Sequence, residues 1–189
     1  MREAADADLV RRHLGGDADA FAELVRRHEA RVYRIALRMT GRPEDARDAT
    51  QEAFLSALRK LRSFRGDAAF TTWLHRVAVN ACYDLLRRRA RTPLAAEEGL
   101  ALLDDVAAPG ADPAERTAAA IDVRRALLEV PEEHRAVLLL HDVEDLGFPE
   151  ISEALGIPVG TVKSRLHRGR VALARALGEP TGADGASNP

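Results

Sequence analysis

The chain has 189 residues, of which 46% are hydrophobic, 31% charged and 4% aromatic, and its formal net charge is −2. This composition favours one or two small helical domains, and a near-neutral total means that any binding to a polyanion must depend on local basic patches. The sequence excludes a membrane span of about 20 apolar residues, an N-terminal signal core and, with Cys82 as its single cysteine, an internal disulfide framework.

The N-terminal half of the chain predicts an all-α unit. A short helix from Asp8 to Leu14 is stopped by two glycines, and Asp17 can then cap a longer helix that extends to about Thr40. The inner residues of the longer helix follow a 3.6-residue period, and His28 is the polar one among them, so we interpret it as a hydrogen-bonded core histidine. The full inner set is Phe21, Leu24, Val25, His28, Val32, Ile35, Ala36 and Met39.

A glycine and a proline separate the second predicted helix from the third. Gly41 can adopt the left-handed conformation that ends a helix, and Pro43 suits the first turn of the next one. The third helix is predicted to extend to about Leu61, and a fourth to run from about Phe70 to Arg89, with a loop around Gly66 between them. The predicted inner face of the third helix carries Phe54, Leu58 and Leu61.

Residues 59–91 combine basic and aromatic side chains. They hold nine Arg or Lys residues against two acidic ones, and four of the eight aromatic residues of the chain: Phe64, Phe70, Trp73 and Tyr83. Cations follow phosphates and aromatic rings stack on unpaired bases, so this composition favours a surface that captures single-stranded nucleic acid. The alternative is that the aromatic residues are ordinary core, and for Tyr83 we prefer that alternative.

The composition changes at Thr92. Residues 92–111 are rich in Ala, Pro and Asp and contain no basic residue, which predicts a flexible linker with at most a marginal short helix at Leu100 to Leu103. Asp112 is then a good N-cap for a helix that begins at Pro113 and extends to about Glu129. A further helix is predicted from Pro131 to Val143, and residues 179–189 resemble a disordered tail.

A helix-turn-helix is predicted between Phe148 and Leu177. Ile151 and Leu155 share one face of its first helix, Gly156 can end that helix, and Pro158 fits the start of the second. The second helix has an inward stripe of Val162, Leu166 and Leu173 and an outward stripe of Thr161, Ser164, Arg165 and Arg168. The outward side chains are of the types that contact base edges and phosphates.

Local charge supports this interpretation of the second helix. Residues 158–177 contain five basic residues and no acidic one, whereas residues 119–157 contain nine acidic and three basic residues. A basic helix on an acidic unit favours insertion into the major groove of DNA. The alternative is an amphipathic core helix whose basic face is simply solvated.

Three blocks of the sequence resemble the extracytoplasmic-function (ECF) sigma factors, a class of the sigma-70-type bacterial transcription initiation factors. Residues 45–54 are similar to the family's core-polymerase-binding helix, residues 63–80 to its −10 promoter block, and residues 131–170 to its −35-reading domain. The resemblance implies two small helical domains: region 2 at residues 1–91 and region 4 at residues 112–178. The linker at residues 92–111 would join them, with the tail at 179–189.

The resemblance assigns roles residue by residue. Core-polymerase contact is expected of Asp48, Gln51, Glu52 and Phe54, although Phe54 could instead be core, and Leu55 could belong either to that interface or to the domain's own packing. Contact with the −10 element is expected of Phe64, Arg65, Gly66, Asp67, Ala68, Trp73, Arg76 and Asn80. Contact with the −35 duplex is expected of Thr161, Lys163, Ser164, Arg165, His167 and Arg168.

The family also implies partners. Core RNA polymerase, through the clamp helices and flap, and promoter DNA are expected, together with a cognate anti-sigma factor. The expected location is cytoplasmic, without membrane insertion. No catalytic residue, cofactor or metal site is expected, because the sequence lacks a phosphate-binding glycine loop and its histidines show no metal-ligand spacing. Two rival classes are a free-standing helix-turn-helix regulator and a protein-interaction module.

Overall fold

A computed structural model describes residues 5–64, 66, 69–91 and 118–178, and within these ranges the chain is all-α, as predicted. The helices are α1 (Asp6–Leu14), α2 (Ala18–Thr40), α3 (Pro43–Lys60), α4 (Phe70–Ala90), α5 (Ala118–Glu129), α6 (Glu132–Leu138), α7 (Phe148–Leu155) and α8 (Val159–Ala176). A single 3₁₀ turn, Leu61–Ser63, follows α3, and a π-helical turn, Leu139–Val143, continues α6. We call α1–α4 the N-terminal unit and α5–α8 the C-terminal unit. The predicted linker and the cap at Asp112 lie outside the described residues.

Local chemistry sets both ends of α2. The Asp17 carboxylate accepts hydrogen bonds from the backbone N–H groups of Asp19 and Ala20, at 3.0 and 3.3 Å, and so satisfies donors that the first turn leaves unpaired. At the other end Gly41 has a φ of 75°, and its N–H donates to the Leu37 carbonyl. Both ends of the helix therefore lie where the sequence predicts them.

In the N-terminal unit α3 packs against both α2 and α4. His28 is buried, and its Nε2 lies 2.8 Å from the Asp6 carboxylate, which confirms the prediction of a hydrogen-bonded core histidine. Leu61 is buried as predicted, but the prediction for Leu58 is wrong, because its side chain is 41% exposed. In α3 alanines occupy four of the eight buried positions, namely Ala46, Ala49, Ala53 and Ala57, so α3 packs closely against its neighbours without Leu58.

The C-terminal unit contains the predicted helix-turn-helix. Gly156 ends α7 with a φ of 65°, and its N–H donates to the Ser152 carbonyl. Glu150 reaches back to accept a 2.7 Å hydrogen bond from the Gly147 N–H, so a side chain from the first turn caps α7 although Gly147 itself has none to offer. The predicted helix from Pro131 to Val143 is present, but its last turn widens into the π-helical turn.

The two units pack against each other. One continuous cluster of buried apolar residues joins them, with Ile35, Met39 and Val79 on the N-terminal side and Leu140 and Ile151 on the C-terminal side. A second cluster, centred on residues such as Leu24 and Leu74, lies within the N-terminal unit. The described part of the chain is therefore one closed body, with α7 against α4 and α5 against α2.

Candidate nucleic-acid and polymerase interfaces

The outward face of α8 is a convex, basic surface. Lys163, Ser164, His167 and Arg168 are exposed, and Thr161 is half-buried at the start of the helix. The inward side of α8 carries Val162 and Leu166, which are fully or almost fully buried. The structure therefore places the predicted −35 residues together on one side of a well-anchored helix.

Two contacts orient the basic side chains of this surface. Arg165 forms an ion pair with Glu133 of α6, which leaves its side chain 23% exposed and directs it along the helix surface. The Lys163 ammonium lies 5.5 Å from the centre of the Phe148 ring, within the range of a cation–π interaction. Burial, together with the nearby cations Arg168 and Arg165, lowers the pKa of His134, although Glu133 opposes this.

A glycine lets α8 approach α6 closely. A Cβ at Gly169 would lie 3.2 Å from the carbonyl oxygen of His134, so only a residue without a side chain fits there without a shift. On the same flank Arg170 donates to both Asp142 carboxylate oxygens, at 2.6 and 3.2 Å. The close packing and the ion pair hold α8 rigidly behind its exposed face.

The N-terminal unit offers a concave site instead. A cleft of about 330 Å³ lies between α3 and α4 and is lined mainly by polar side chains. Three of the predicted −10 residues, Trp73, Arg76 and Asn80, line it from α4 at offsets of 0, 3 and 7. The residues that face them are Glu52, Ser56 and Lys60 of α3 with Ser63, while Val77, Ala81 and Asp84 of α4 complete the lining.

An aromatic group lies beside this cleft, and its Trp73 ring is part of the lining. Phe64 meets Phe70 edge-to-face at 5.7 Å and lies 5.6 Å from Trp73, so the three rings form one group at the start of α4. Phe70 is buried and Phe64 is half-buried against the core of the N-terminal unit, whereas Trp73 is the ring of this group that lines the cleft. Tyr83 is half-buried against the cluster that joins the two units, which agrees with the interpretation of its ring as core.

The α3 side of the cleft is formed by Glu52, Ser56 and Lys60. Of these, Ser56 and Lys60 were not predicted as site residues. Ser56 and Lys60 follow Glu52 at intervals of four, so a helical wheel of α3 could have found them. Gly66, in the loop before α4, is exposed with a φ of 79°. The predicted −10 residues Arg65, Asp67 and Ala68 lie outside the described residues.

The exposed side of α3 carries most of the predicted polymerase contacts. Asp48 and Gln51 are exposed, and Glu52 pairs with Arg59 at 2.6 Å while staying half-exposed. Leu55 continues this face and is 44% exposed, which favours the interface alternative over packing within the unit. Phe54 is 9% exposed in the core of the N-terminal unit, so it can position α3 but is not a protruding anchor.

Other potential sites are missing from the described residues. No group of His, Cys, Asp and Glu side chains is arranged there to hold a metal ion. Cys82 is fully buried, and burial raises its pKa to about 12, so the thiolate needed for nucleophilic chemistry is strongly disfavoured. The helices described are also too short or too polar to cross a membrane.

Comparison with known proteins identifies both parts of the chain. Residues 24–92 match the family model of sigma-70 region 2, and residues 120–173 match that of sigma-70 region 4. The cleft falls within the first match and the exposed face of α8 within the second.

Curated relatives and solved structures agree with these matches. The chain is 46% identical over 177 residues to the ECF RNA polymerase sigma factor SigM of Mycobacterium tuberculosis, covering 93% of this chain and 86% of that protein. It is 36% identical to the ECF RNA polymerase sigma factor SigW of Bacillus subtilis, covering 86% of this chain and 91% of the other.

Two solved complexes share the fold. CnrH, in complex with the cytosolic domain of CnrY, has a TM-score of 0.65 and 29% identity, with 93% of this chain and 98% of the other covered. The sigma factor RpoE of Bartonella quintana, in complex with the anti-sigma factor NepR, has a TM-score of 0.68 and 22% identity, with 84% and 96% covered. Because it matches both sigma-70 region models and is 46% identical to a curated member, the chain belongs to the ECF sigma factors of the sigma-70 family.

Proposed function

We propose that this sigma factor binds core RNA polymerase through α3 and directs it to promoters whose −35 element is recognised by α8 and whose −10 element is captured by the cleft between α3 and α4. The observation that carries the proposal is the presence, in one chain, of a convex basic helix and a concave polar cleft with one aromatic ring, Trp73, in its lining. A duplex and an unpaired base require these two different shapes. The polymerase supplies the chemistry, and this chain supplies specificity.

Recognition of the −35 duplex by α8 follows from its exposed donors. Arg165 and Arg168 can bond to guanine edges or phosphates, while Ser164 and His167 lie beside them on the exposed surface. Thr161 and Lys163, near the N-terminus of the helix, are suited to phosphate contacts that fix the register. Arg165 is paired with Glu133, so a contact with DNA requires it to exchange that carboxylate for a base or a phosphate.

Capture of the −10 element follows from the shape and lining of the cleft. Its volume of about 330 Å³ lies at the small end of the range for ligand pockets, which suits one base and its sugar. Trp73 offers ring surface for stacking, with the Phe64 ring packed 5.6 Å from it, and Asn80 offers an amide that can pair with a base edge. Arg76 and Lys60 are placed to meet the phosphates on either side.

Binding to the polymerase is assigned to the exposed side of α3. Asp48, Gln51 and Glu52 form a polar stripe that Leu55 extends with an apolar contact, a composition typical of a protein interface. We also propose that region 2 ends at residue 91 and that region 4 begins at residue 112. A cognate anti-sigma factor is proposed as a further partner. Both solved neighbours carry a bound protein partner, and one of these is an anti-sigma factor.

The experiment that tests the proposal separates a sigma factor from a free-standing regulator. DNA fragments are incubated with the chain alone, with core polymerase alone and with both, and sequence-specific complexes are detected by mobility shift. The proposal predicts specific complexes only when both proteins are present. Specific, tight duplex binding by the chain alone would support the regulator instead.

A matched pair of variants tests the assignment of α3. Replacement of Asp48 and Gln51 by alanine is expected to weaken co-purification with core polymerase, because it removes the centre of the polar stripe. Glu29→Ala removes an exposed acidic residue of α2 and is expected to have no effect. Equal co-purification of both variants would remove α3 from the proposed interface.

A further inference from the structure

The first helix packs close to the aromatic group beside the cleft. α1 ends before residue 24, where the match to sigma-70 region 2 begins. Its inner side chains, Leu9 and Val10, are almost fully buried and belong to the same core cluster as Phe70. α1 also packs against the 3₁₀ turn, which directly precedes Phe64. α1 therefore supports the chain both before and after the loop that carries predicted −10 residues.

A polar contact at the start of α1 holds one histidine of α2. The Asp6 carboxylate lies 2.8 Å from His28 Nε2 and 3.3 Å from Arg27 Nη1. Because an ionised carboxylate can only accept a hydrogen bond, His28 Nε2 carries a proton and donates it. A hydrogen bond constrains the direction of its N–H group, so this one fixes the orientation of the imidazole ring. His28, which is 9% exposed, is thus held in the core in one orientation.

The His28 ring extends this contact toward the cleft. Its centre lies 5.5 Å from the centre of the Phe70 ring, with an angle of 53° between the two planes. Phe70 in turn lies 5.6 Å from Trp73 and 5.7 Å from Phe64. Aromatic rings attract one another at these distances, in addition to the effect of their burial. A series of contacts therefore connects Asp6 of α1 with Trp73, the ring that lines the cleft.

Stacking on a base depends on where the Trp73 ring lies. Arg76 and Asn80 line the same cleft one and two turns later, and α4 fixes the backbone of all three residues. The Trp73 ring can still rotate about its side-chain bonds unless its neighbours restrain it. Phe64 and Phe70 supply that restraint, and His28 restrains Phe70.

We propose that Asp6 and His28 are positioning residues for capture of the −10 element. They hold the aromatic group so that Trp73 keeps the orientation in which it stacks on an unpaired base. This inference rests on the proposed function, because it concerns the base that the cleft captures. It gives α1 a role in promoter recognition although no residue of α1 lines the cleft.

The fluorescence of Trp73 tests this proposal, because Trp73 is the single tryptophan of the chain. Asp6→Ala removes the acceptor, whereas His28→Gln keeps a donor but removes the ring. Both variants of the full chain are expected to emit at longer wavelength and to be quenched more by acrylamide, since a less restrained ring is more exposed to water. The double variant should add little further, because both changes break the same series of contacts.

The matched control is Asp8→Ala. Asp8 is the other acidic residue in the first turn of α1, so its replacement removes the same charge from the same end of the helix. Its ion pair is with Arg11 within α1, so the emission should match that of the wild type. A shift as large as that of Asp6→Ala would overturn the proposal. If unfolding experiments show that His28→Gln does not fold, Asp6→Ala decides alone, since the Asp6 side chain is 24% exposed.

Run-off transcription with core polymerase separates this inference from the proposed function. Asp6→Ala and His28→Gln should reduce discrimination between −10 sequences about fivefold, the factor that corresponds to one net hydrogen bond, and leave the −35 preference unchanged. Unchanged emission, an equal loss at both elements or no loss at the −10 element would overturn the inference and leave the function intact. No transcripts from any protein, the wild type included, would contradict the function and with it the promoter role of α1. Emission shifts as predicted would then still establish the contact between α1 and the aromatic group.

Discussion

The two proposed promoter-reading helices, α4 and α8, present their polar residues in opposite ways. Ten residues of α4 are buried, and its outward side chains form one wall of a cleft that it shares with α3. In α8 only Val162, Leu166 and Gly169 are buried, and most of the remaining surface is open to solvent. One element is therefore concave and built from two helices, whereas the other is convex and built from one.

The two helices should therefore differ in how well they tolerate amino-acid substitutions. The convex face of α8 can vary in sequence without loss of packing, because its exposed side chains make few contacts within the unit. The reading residues of α4 alternate with core residues such as Leu74 and Val77, so changes on that helix affect recognition and stability together. We expect promoter preference to be easier to alter at the −35 element than at the −10 element.

The largest effect is expected from a change that removes the support of α8 and spares the cleft. Ile151 of α7 is fully buried in the helix-turn-helix, so Ile151→Ala should lower the free energy of unfolding by about 2–5 kcal/mol through loss of packing and the cavity that remains. Thermal or denaturant unfolding measures this loss. Recognition of the −35 element should weaken with it.

A control for this change is Leu155→Ala, four residues later in the same helix but only partly buried. The smaller buried area predicts a smaller loss of stability. If both substitutions cost the same, the account of α7 as the support of α8 through Ile151 is incorrect.

Low pH should destabilise the packing of α4 more than that of α8, because α4 buries a histidine and α8 buries no ionisable residue. Burial lowers the pKa of His75 from 6.5 to about 4, although Glu144 opposes this; Arg31 and His28 lower it further. A histidine whose pKa is lower when folded binds fewer protons in that state. The contribution of His75 to the free energy of unfolding is therefore fully present above about pH 6.5. About 3 kcal/mol of that free energy is lost as the pH falls toward 4.

Denaturant unfolding between pH 7 and 4 measures this loss. His75→Leu removes the titrating group and should flatten the pH dependence relative to the wild type, whatever its effect on stability at pH 7. Parallel curves for the two proteins would show that His75 is not the group that titrates.

A substitution on the exposed face of α8 is expected to have a smaller effect, confined to recognition of the −35 element. Arg165→Ala should weaken −35-dependent transcription by about 1–3 kcal/mol, the usual value of a base contact, without lowering stability by a similar amount. Run-off transcription on promoters with altered −35 bases measures the preference. Arg175→Ala removes a cation from the last turn of the same helix, away from the proposed contacts, and should leave the preference unchanged.

A substitution in the cleft between α3 and α4 is expected to have the smallest effect. Asn80→Ala should reduce discrimination at the −10 element by about 1 kcal/mol, the net value of one hydrogen bond, while binding to core polymerase stays intact. Asp84→Asn, one turn further along the same cleft, changes charge and should alter affinity for all sequences alike. Loss of polymerase binding or of folding in Asn80→Ala would contradict the role assigned to Asn80.

Local signals were sufficient to predict most of the helices. The cap at Asp17 and the left-handed Gly41 and Gly156 act within one turn of the chain, so their effects can be read from neighbouring residues. The outward stripe of α8 was also predictable, because an exposed face on a long helix depends only on helical periodicity.

Features that depend on distant parts of the chain could not be predicted. Leu58 has the spacing of an inner residue but faces solvent, because the alanines of α3 bring that helix close to its neighbours along another face. The cleft exists only where α3 meets α4. The burial of Glu144 depends on Arg31, more than a hundred positions earlier, and on a π-helical turn that no local pattern in residues 131–143 indicated.

Run-off transcription with purified core polymerase on fragments of bacterial genomic DNA, with and without this chain, measures directly whether the chain directs initiation. Discrete new start sites that share a −35 and a −10 motif at a fixed spacing are expected when the chain is present. No new start sites, together with specific duplex binding by the isolated chain, would show that it is not the specificity subunit of the polymerase.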